Sequence, residues 1–258
     1  MQAHERIGQA LRSANDNGKT GLVPFITAGY PDPDKFIATL KDVASVGDVV
    51  ELGIPFSDPM ADGMTIQRSS YKAIENGVTL RWIFEQLESA DAKLETPLVM
   101  MSYLNPLLAY GYEKLADSAL RTGVCAFIVP DLPYEESDEI RTALEAKGIG
   151  LIQLVTPATP ADRIKMLCDA SRGFLYAVTV TGITGSGAGL PDGLAEYLDN
   201  VAAASPIPVC AGFGIRTAQD VVNVGKHVAG AIVGSALVEV LERGEDPVDW
   251  LNGLSPSA

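Results

Sequence analysis

Three carboxylates follow one another within a short segment of the chain, where an apolar run ends. The segment reads ELGIPFSDPMADG and contains Glu51, Asp58 and Asp62. Glu51 is embedded in the apolar run VVEL, where a charge is costly unless it is paired or functional. Carboxylates in different surroundings can act as a general acid and a general base. Glu51 therefore has two interpretations, a strand-end carboxylate held by neighbouring donors or a functional group, whereas Asp58 and Asp62 alone also suit a solvated loop.

Three glycine-bearing turns follow late apolar runs and are of the kind that binds phosphate. They are Gly182–Gly189, Gly212–Gly214 and Gly234–Ser235. Glycine lets the backbone approach an oxyanion, and Ser235 at a helix start would add a hydroxyl group and backbone N–H groups. Each turn alone could be an ordinary connection. Their occurrence after three consecutive late runs favours a phosphate site.

Several common catalytic groups are missing from the predicted strand ends. His4 and His227 lie in or beside helical patterns, so we predict no metal site. No lysine ends a predicted strand, which argues against a Schiff-base mechanism, and no G-x-S-x-G motif occurs. Carboxylates and tyrosines must then carry any proton transfer. Four aromatic residues near strand ends, each explained singly by core filling, are Phe25, Tyr103, Tyr176 and Phe213.

Eight short apolar runs alternate with helical patterns along the chain. The runs are Gly21–Ala28, Asp48–Gly53, Pro97–Tyr103, Val124–Pro130, Gly150–Thr156, Phe174–Thr179, Ile207–Gly212 and Ala229–Gly234. Continuous apolar character is what strands buried on both faces require. The pattern predicts one α/β domain over residues 1–258, a (β/α)8 TIM barrel with an extra N-terminal helix at 4–14. A doubly wound open sheet is the alternative, and residues 54–77 are predicted as a long loop that could carry an active site.

The charge balance excludes several classes of partner. The 258 residues include 19 Lys and Arg against 33 Asp and Glu, a formal net charge of −14. This balance disfavours nucleic acid and anionic membranes, so we predict neither as a partner. Cys125, Cys168 and Cys210 form no C-x-x-C pair and are predicted to be reduced thiols. No signal-peptide pattern occurs in Met1–Arg12, so we expect a cytoplasmic protein.

The segment around Glu51 closely resembles the alpha chain of tryptophan synthase. Further motifs follow in the same order over nearly the whole length: PFITAG at 24–29, ADG at 61–63, TIQ at 65–67, DLP at 131–133, GITG at 182–185, GFGI at 212–215 and GS at 234–235. The resemblance implies a (β/α)8 fold. It also implies a lyase of tryptophan biosynthesis that converts indole-3-glycerol phosphate to indole and glyceraldehyde 3-phosphate.

The resemblance assigns roles to the candidate residues. Glu51 would deliver a proton to C3 of indole and remove one from the glycerol hydroxyl group. Asp62, kept ionised, would accept the indole N–H and stabilise the developing positive charge. Protonation of C3 makes the ring its own electron sink, which suits a site without lysine or metal. The substrate-binding residues that the resemblance implies are Phe25, Tyr103, Tyr176, Thr184, Gly185, Phe213, Gly214, Gly234 and Ser235.

The resemblance also implies a protein partner. The partner is the tryptophan synthase beta chain, expected in an α2β2 complex. Pyridoxal phosphate is expected only in that chain, and no cofactor is expected in this one. The docking residues expected at the barrel mouth are Asp58, Pro59, Asn105 and Pro133.

Three residues depart from the family pattern. Met64, Pro130 and Thr179 replace residues common in the family, and they affect loops and pocket shape rather than the carboxylates.

Two other functions remain as alternatives. One alternative is another phosphate-sugar barrel enzyme, such as indole-glycerol-phosphate synthase or a histidine-pathway isomerase. These enzymes use a strand-end lysine, missing here, or paired aspartates. The other is a noncatalytic barrel that serves as an allosteric binding subunit, against which the presence of Glu51 and Asp62 argues.

Overall fold

The apolar runs of the sequence form the strands of one parallel sheet. The computed structural model describes residues 1–90, 94–179, 190, 193–212 and 214–254. In these ranges the strands are β1 (Gly21–Thr27), β2 (Val50–Gly53), β3 (Leu98–Met101), β4 (Val124–Ile128), β5 (Gly150–Ile152), β6 (Leu154–Val155), β7 (Leu175–Val178), β8 (Val209–Gly212) and β9 (Gly230–Val233). Their order in the sheet is β5-β4-β3-β2-β1-β9-β8-β7-β6.

The barrel closes through the fifth apolar run, which Gln153 divides into β5 and β6. Leu151 of β5 lies opposite Phe127 of β4, and Leu154 of β6 lies opposite Tyr176 of β7. Because β5 and β6 follow each other in the chain, the two ends of the sheet meet there. The Tyr176 N–H donates to the Gln153 carbonyl at 3.0 Å. The predicted TIM barrel is confirmed, and the open-sheet alternative is wrong.

Helix α1 (Ala3–Asp16) closes the amino-terminal end of the barrel. Ile7 and Leu11 are fully buried and pack against interior side chains that include Val23 and Phe174. A side chain at Gly21 would place its Cβ 2.7 Å from Leu11 Cδ2, so glycine makes room for the helix. The predicted extra N-terminal helix is confirmed. It leaves the carboxyl ends of the strands for a functional site.

An outer layer of helices covers the barrel. Within the described ranges it consists of α2 (Phe36–Ala44), α3 (Met64–Glu75), α4 (Leu80–Ser89), α5 (Leu104–Tyr110), α6 (Tyr112–Thr122), α7 (Asp138–Glu145), α8 (Ala161–Ala170), α9 (Leu194–Ala204), α10 (Ala218–Gly225), α11 (Ser235–Glu242) and α12 (Pro247–Asn252), with 3-10 turns at Pro33–Lys35 and Tyr134–Glu136. Their apolar faces pack on the outward faces of the strands. The Thr79 and Thr217 hydroxyl groups accept hydrogen bonds from Trp82 N and Asp220 N and cap α4 and α10.

The stretch after β2 departs from the sequence prediction. Residues 54–77, predicted as one loop, contain α3, so the loop proper is limited to 54–63. The sequence of helix α3 shows no periodic apolar pattern, because its buried positions, which include Ser69 and Ala73, carry small or polar side chains. The Ser69 hydroxyl lies 2.6 Å from that of Thr27 on β1, so this polar contact is satisfied inside the structure. The loop therefore rests on a helix that is fixed to the barrel.

Candidate active site

Glu51 lies on β2 with its side chain directed into the barrel. Alternate residues of a strand share a face, and Val49, two positions earlier, belongs to the interior core. Glu51 is only 1% exposed, and its Oε2 atom has no hydrogen-bond partner among the described residues. Burial raises the pKa of Glu51 to about 8, and the negative charge of Asp62 adds to the effect. Glu51 is therefore mainly protonated at neutral pH and can act as an acid.

Asp62 lies at the end of the loop that follows β2. Its N–H donates to the Pro59 carbonyl at 3.1 Å, and its own carbonyl accepts from Gln67 Nε2 at 2.8 Å. Burial raises the pKa of Asp62 to about 6, and the Tyr103 hydroxyl group offsets part of that shift. The Ala61 N–H donates to the Tyr103 hydroxyl oxygen at 2.9 Å, so the same tyrosine also anchors the loop. Asp62 is mainly ionised at pH 7.

The two carboxyl groups form a pair with separated pKa values. The pKa is about 8 for Glu51 and about 6 for Asp62. Between these pH values, Glu51 holds a proton while Asp62 holds a charge. Pairs of carboxyl groups whose environments separate their pKa values are typical of acid–base sites. This arrangement favours a functional Glu51 over a carboxylate held by neighbouring donors.

Three of the predicted aromatic residues, Phe25, Tyr103 and Tyr176, lie around the two carboxyl groups. Phe25 on β1 lies opposite Glu51 on β2. Its ring packs against Gly53, where a side chain would place a Cβ 2.4 Å from Phe25 Cζ. Burial, and then the charge of Glu51, raise the pKa of Tyr176 well above its ordinary value. Tyr176 therefore stays protonated and can donate a hydrogen bond in this environment.

Two of the predicted phosphate-binding turns leave the barrel side by side. Cys210 of β8 lies opposite Gly230 of β9, so the turns that follow these strands lie at the same height. Gly214 has a φ of +80°, which favours glycine, and Gly234 precedes α11, whose first residue is Ser235. The N–H groups of a first helical turn have no intrahelical acceptor, and the helix dipole favours an anion there. The arrangement suits a phosphate group.

The remaining predicted substrate residues are Thr184, Gly185 and Phe213, and they lie outside the described residues. Their roles stay predictions. Shortly before the first of them along the chain, the Thr179 hydroxyl group donates to the Gly212 carbonyl at 2.7 Å and joins the ends of β7 and β8. This departure from the usual serine keeps a hydroxyl group at the position.

The residues predicted to dock a partner lie at the carboxyl end of the barrel, on the segments that follow β2, β3 and β4. Asp58, Asn105 and Pro133 are exposed, whereas Pro59 is buried. The exposed apolar side chain next to it is that of Met60, which is 82% exposed. Pro59 is expected to form an exposed docking surface with the other three residues, and this part of the expectation is wrong because its side chain packs within the chain. Met60 presents the apolar surface there instead.

Gln67 positions the site, a role that its TIQ motif alone does not indicate. Its amide group donates to the carbonyl of Asp62 at 2.8 Å and to that of Pro59 at 3.4 Å. A polar side chain in the first turn of a helix often reaches back over the helix start. That signal is useful only where a helix is expected, and the apolar pattern does not predict α3.

Both histidines contact other parts of the chain rather than Glu51 or Asp62. His4 Nδ1 lies 3.1 Å from the Gly148 carbonyl, and His227 Nδ1 lies 2.7 Å from Asp199 Oδ1. Among the described residues, no group of three or more His, Cys, Asp or Glu side chains could hold a metal ion. None of the helices in the described part of the chain has the length and apolar character of a membrane span.

Known proteins similar to this chain agree in sequence and in structure. The family model of the tryptophan synthase alpha chain matches residues 11–251. The alpha chain of Bacillus mycoides is 42% identical over 235 residues, 91% of either chain. That of Desulfovibrio desulfuricans is 40% identical over 248 residues, 95% of this chain and 97% of the other. Tryptophan synthase from Mycobacterium tuberculosis superposes with a TM-score of 0.88 at 32% identity, over 96% of both chains.

A structure of tryptophan synthase subunit alpha also superposes on this chain. It comes from Legionella pneumophila, has a TM-score of 0.86 at 34% identity, and is covered over 97% of its length by 98% of this chain. Fold and relatives thus define the class: a lyase with a TIM-barrel fold. The match across residues 11–251, with relatives at 40–42% identity, shows that the chain belongs to the tryptophan synthase alpha chain family.

Membership in this family establishes the reaction in outline. The chain is a lyase of tryptophan biosynthesis and cleaves indole-3-glycerol phosphate. Its partner is a beta chain, which carries the cofactor of the complex. The alternative of a noncatalytic or differently specific barrel is not favoured.

Proposed function

We propose that Glu51 and Asp62 carry out the cleavage as an acid and an electrostatic partner. The observation that supports this most strongly is the separation of their pKa values, about 8 and about 6. Protonated Glu51 delivers its proton to C3 of the indole ring, which becomes a positively charged indolenine. Ionised Asp62 accepts a hydrogen bond from the ring N–H and stabilises that charge.

The bond between the ring and the glycerol chain then breaks without an outside electron acceptor. The Glu51 carboxylate formed in the first step removes the proton of the adjacent glycerol hydroxyl group. The electron pair of the carbon–carbon bond moves into the indolenine and restores aromatic indole. The hydroxyl-bearing carbon becomes the aldehyde of glyceraldehyde 3-phosphate. Glu51 ends the cycle protonated, as it began.

The surrounding residues hold the two ends of the substrate. Phe25, Tyr103 and Tyr176 lie around the carboxyl groups and suit an indole ring. The phosphate group would lie at the other end of the substrate, on the late turns. Family resemblance assigns its binding to Gly185, Gly214, Gly234 and Ser235, of which the last three follow β8 and β9, and it adds Thr184 and Phe213 to the site.

Indole formation by the purified chain tests this assignment. Wild-type protein and Glu51→Gln are compared on indole-3-glycerol phosphate, and release of indole is followed. Glu85→Gln, a change of the same kind at an exposed position on α4, is the matched control. Full activity of Glu51→Gln would refute the role of Glu51.

We propose that the beta chain docks over the barrel mouth in an α2β2 complex and brings pyridoxal phosphate with it. Asp58, Asn105 and Pro133 are exposed there, and Met60 offers a large apolar side chain. The Leu104 N–H donates to Asp131 Oδ1 at 2.9 Å and joins the loops after β3 and β4 into one surface. Indole is small and uncharged, so direct transfer to a docked partner prevents its loss by diffusion.

The beta chain is expected to accelerate the cleavage. Contact with the loop at 54–63 biases Asp62 toward its reactive position, so kcat should rise by about tenfold or more when the beta chain is bound. Asn105→Ala should reduce this activation and leave the rate of the isolated chain unchanged, whereas Asn252→Ala on α12 should change neither. Steady-state assays with and without the beta chain measure the effect, and sedimentation gives the stoichiometry. Equal turnover with the beta chain demonstrably bound would overturn the proposal.

We place the enzyme in the cytoplasm. Cys125, Cys168 and Cys210 are all buried as free thiols, which is typical of proteins kept under reducing conditions. Burial raises the pKa of each thiol above its ordinary value, so all three stay protonated and unreactive. Fractionation of cells followed by detection of the chain tests the location.

A further inference from the structure

The carboxylate of Glu239 joins three elements at the carboxyl end of the barrel. Glu239 lies on α11 and accepts a hydrogen bond from Thr65 Oγ1 at 3.2 Å. It also accepts two from the Arg216 guanidinium group, at 2.8 and 3.1 Å. Thr65 belongs to the first turn of α3, and Arg216 lies in the loop after β8. One side chain therefore connects α3, α11 and that loop.

On one side, these contacts lead to the proposed phosphate site. Arg216 follows Gly214 by two residues, and its backbone N–H is fixed by a hydrogen bond to Asp220 Oδ2 at 3.0 Å. Glu239 lies four residues after Ser235 on α11, hence on the same side of the helix. The ion pair between Arg216 and Glu239 thus ties together the two segments that would hold the phosphate group.

On the other side, the contacts lead to Asp62. Thr65 and Gln67 both lie in the first turns of α3. The Gln67 amide holds the Asp62 carbonyl at 2.8 Å and the Pro59 carbonyl at 3.4 Å. A displacement of the start of α3 therefore moves the backbone of Asp62. The path from the loop after β8 to Asp62 is continuous. Hydrogen bonds through Glu239 link that loop to Thr65. The backbone of α3 links Thr65 to Gln67, and the Gln67 amide donates to the Asp62 carbonyl.

The Arg216–Glu239 pair contributes more to geometry than to stability. The Glu239 side chain is 26% exposed and that of Arg216 is 56% exposed, and ion pairs this accessible to water add little to the free energy of unfolding. A second pair, Arg68 with Glu242 at 2.6 Å, joins the same two helices one turn further on. Among the described residues, the second pair makes no hydrogen bond or ion pair with the loop after β8. It is therefore a natural control.

We propose that Glu239 is a positioning residue that couples occupation of the phosphate site to the placement of Asp62. A phosphate group held by the segments of Gly214 and Ser235 fixes Arg216 relative to α11, and Glu239 transmits this constraint to α3 through Thr65. By linkage, ordering of Asp62 strengthens phosphate binding to the same degree. The inference rests on the proposed phosphate site and on the proposed role of Asp62.

Hydrogen exchange with inorganic phosphate tests the coupling in the full chain. Saturating phosphate should increase the protection of backbone amides in residues 56–64 of the wild type and of Glu242→Ala. In Glu239→Ala, phosphate should bind with a Kd about fivefold higher, and saturation should leave the protection of 56–64 unchanged. Thr65→Val, which breaks the same path on the α3 side, should behave like Glu239→Ala. A purely structural role would loosen the loop equally with and without phosphate.

The outcomes separate this inference from the proposed function. If wild-type protein binds phosphate and the gain in protection is the same in Glu239→Ala and Thr65→Val, the coupling is wrong and the phosphate site stands. If inorganic phosphate fails to bind the wild type, or binds without protecting the amides around Gly214 and Ser235, the proposed phosphate site is wrong and the coupling falls with it. Loss of the protection in Glu242→Ala as well would show that any contact between α3 and α11 suffices, which contradicts a specific role for Glu239.

Discussion

Replacing Glu51 by glutamine should lower kcat for indole formation by about 10³-fold while KM changes little. Glutamine has nearly the same shape as protonated glutamic acid, so the substrate still fits, but an amide cannot deliver a proton to C3 or remove one from the hydroxyl group. A variant that still binds the substrate but cannot transfer the proton has a lower kcat and a nearly unchanged KM. Steady-state kinetics on indole-3-glycerol phosphate measure both quantities. A loss confined to KM would contradict proton transfer by Glu51.

The same variant should be more stable than the wild type at alkaline pH. Burial raises the pKa of Glu51 from 4.5 to about 8, so in this range the folded chain binds the proton more strongly than the unfolded chain. The free energy of unfolding of the wild type therefore falls as pH rises from about 4.5 to about 8, and Glu51→Gln lacks this loss. The Tm of the variant should exceed that of the wild type above pH 8. An inactive variant that is less stable at pH 9 would indicate misfolding instead.

Asp62→Asn should lower kcat by about 10²- to 10³-fold, because an amide does not stabilise the positively charged indolenine as a carboxylate does. It should also change the pH profile. In the wild type kcat/KM falls below about pH 6, where Asp62 takes up a proton, and above about pH 8, where Glu51 loses its own. The variant should lack the acid limb. Its alkaline limb should move to lower pH, because the charge that helps to raise the pKa of Glu51 is gone.

An unchanged acid limb in Asp62→Asn would contradict the assignment of that limb to Asp62. Circular dichroism and the binding of inorganic phosphate provide the controls, since both should match the wild type. The replacement keeps the backbone of residue 62, so its hydrogen bonds to Pro59 and Gln67 persist. The expected loss is therefore electrostatic rather than structural.

The barrel could be predicted from the sequence because continuous apolar runs have few other uses in a chain of this length. Glu51 stood out for the same reason, as a charge within such a run. Helix α3 could not be predicted, since small and hydroxyl-bearing residues such as Ser69 and Ala73 form its buried side. Its packing depends on a partner on β1, Thr27, which is 42 residues away from Ser69 in the chain.

The electrostatics of the site also lie beyond a single sequence. The raised pKa of Glu51 depends on side chains from other strands that bury it, among them Phe25 on β1 and Val99 on β3. Thr65 and Glu239, which form a hydrogen bond, are 174 residues apart in the chain, and no local sequence pattern predicts this contact. Sequence patterns therefore identify the groups that can react, whereas the fold determines which of them hold protons and which side chains position them.

A carbon-13 NMR titration of the Glu51 carboxyl group reports directly on the protonation state that the mechanism requires. The chain is labelled at the glutamate side-chain carboxyl carbon, and the resonance of Glu51 is assigned by its absence from Glu51→Gln. We predict that this resonance titrates with a midpoint near pH 8, so that the group is mainly protonated at pH 7. A midpoint near 4.5, the ordinary value for a glutamate, would mean that Glu51 is a carboxylate at neutral pH and would contradict its role as the acid.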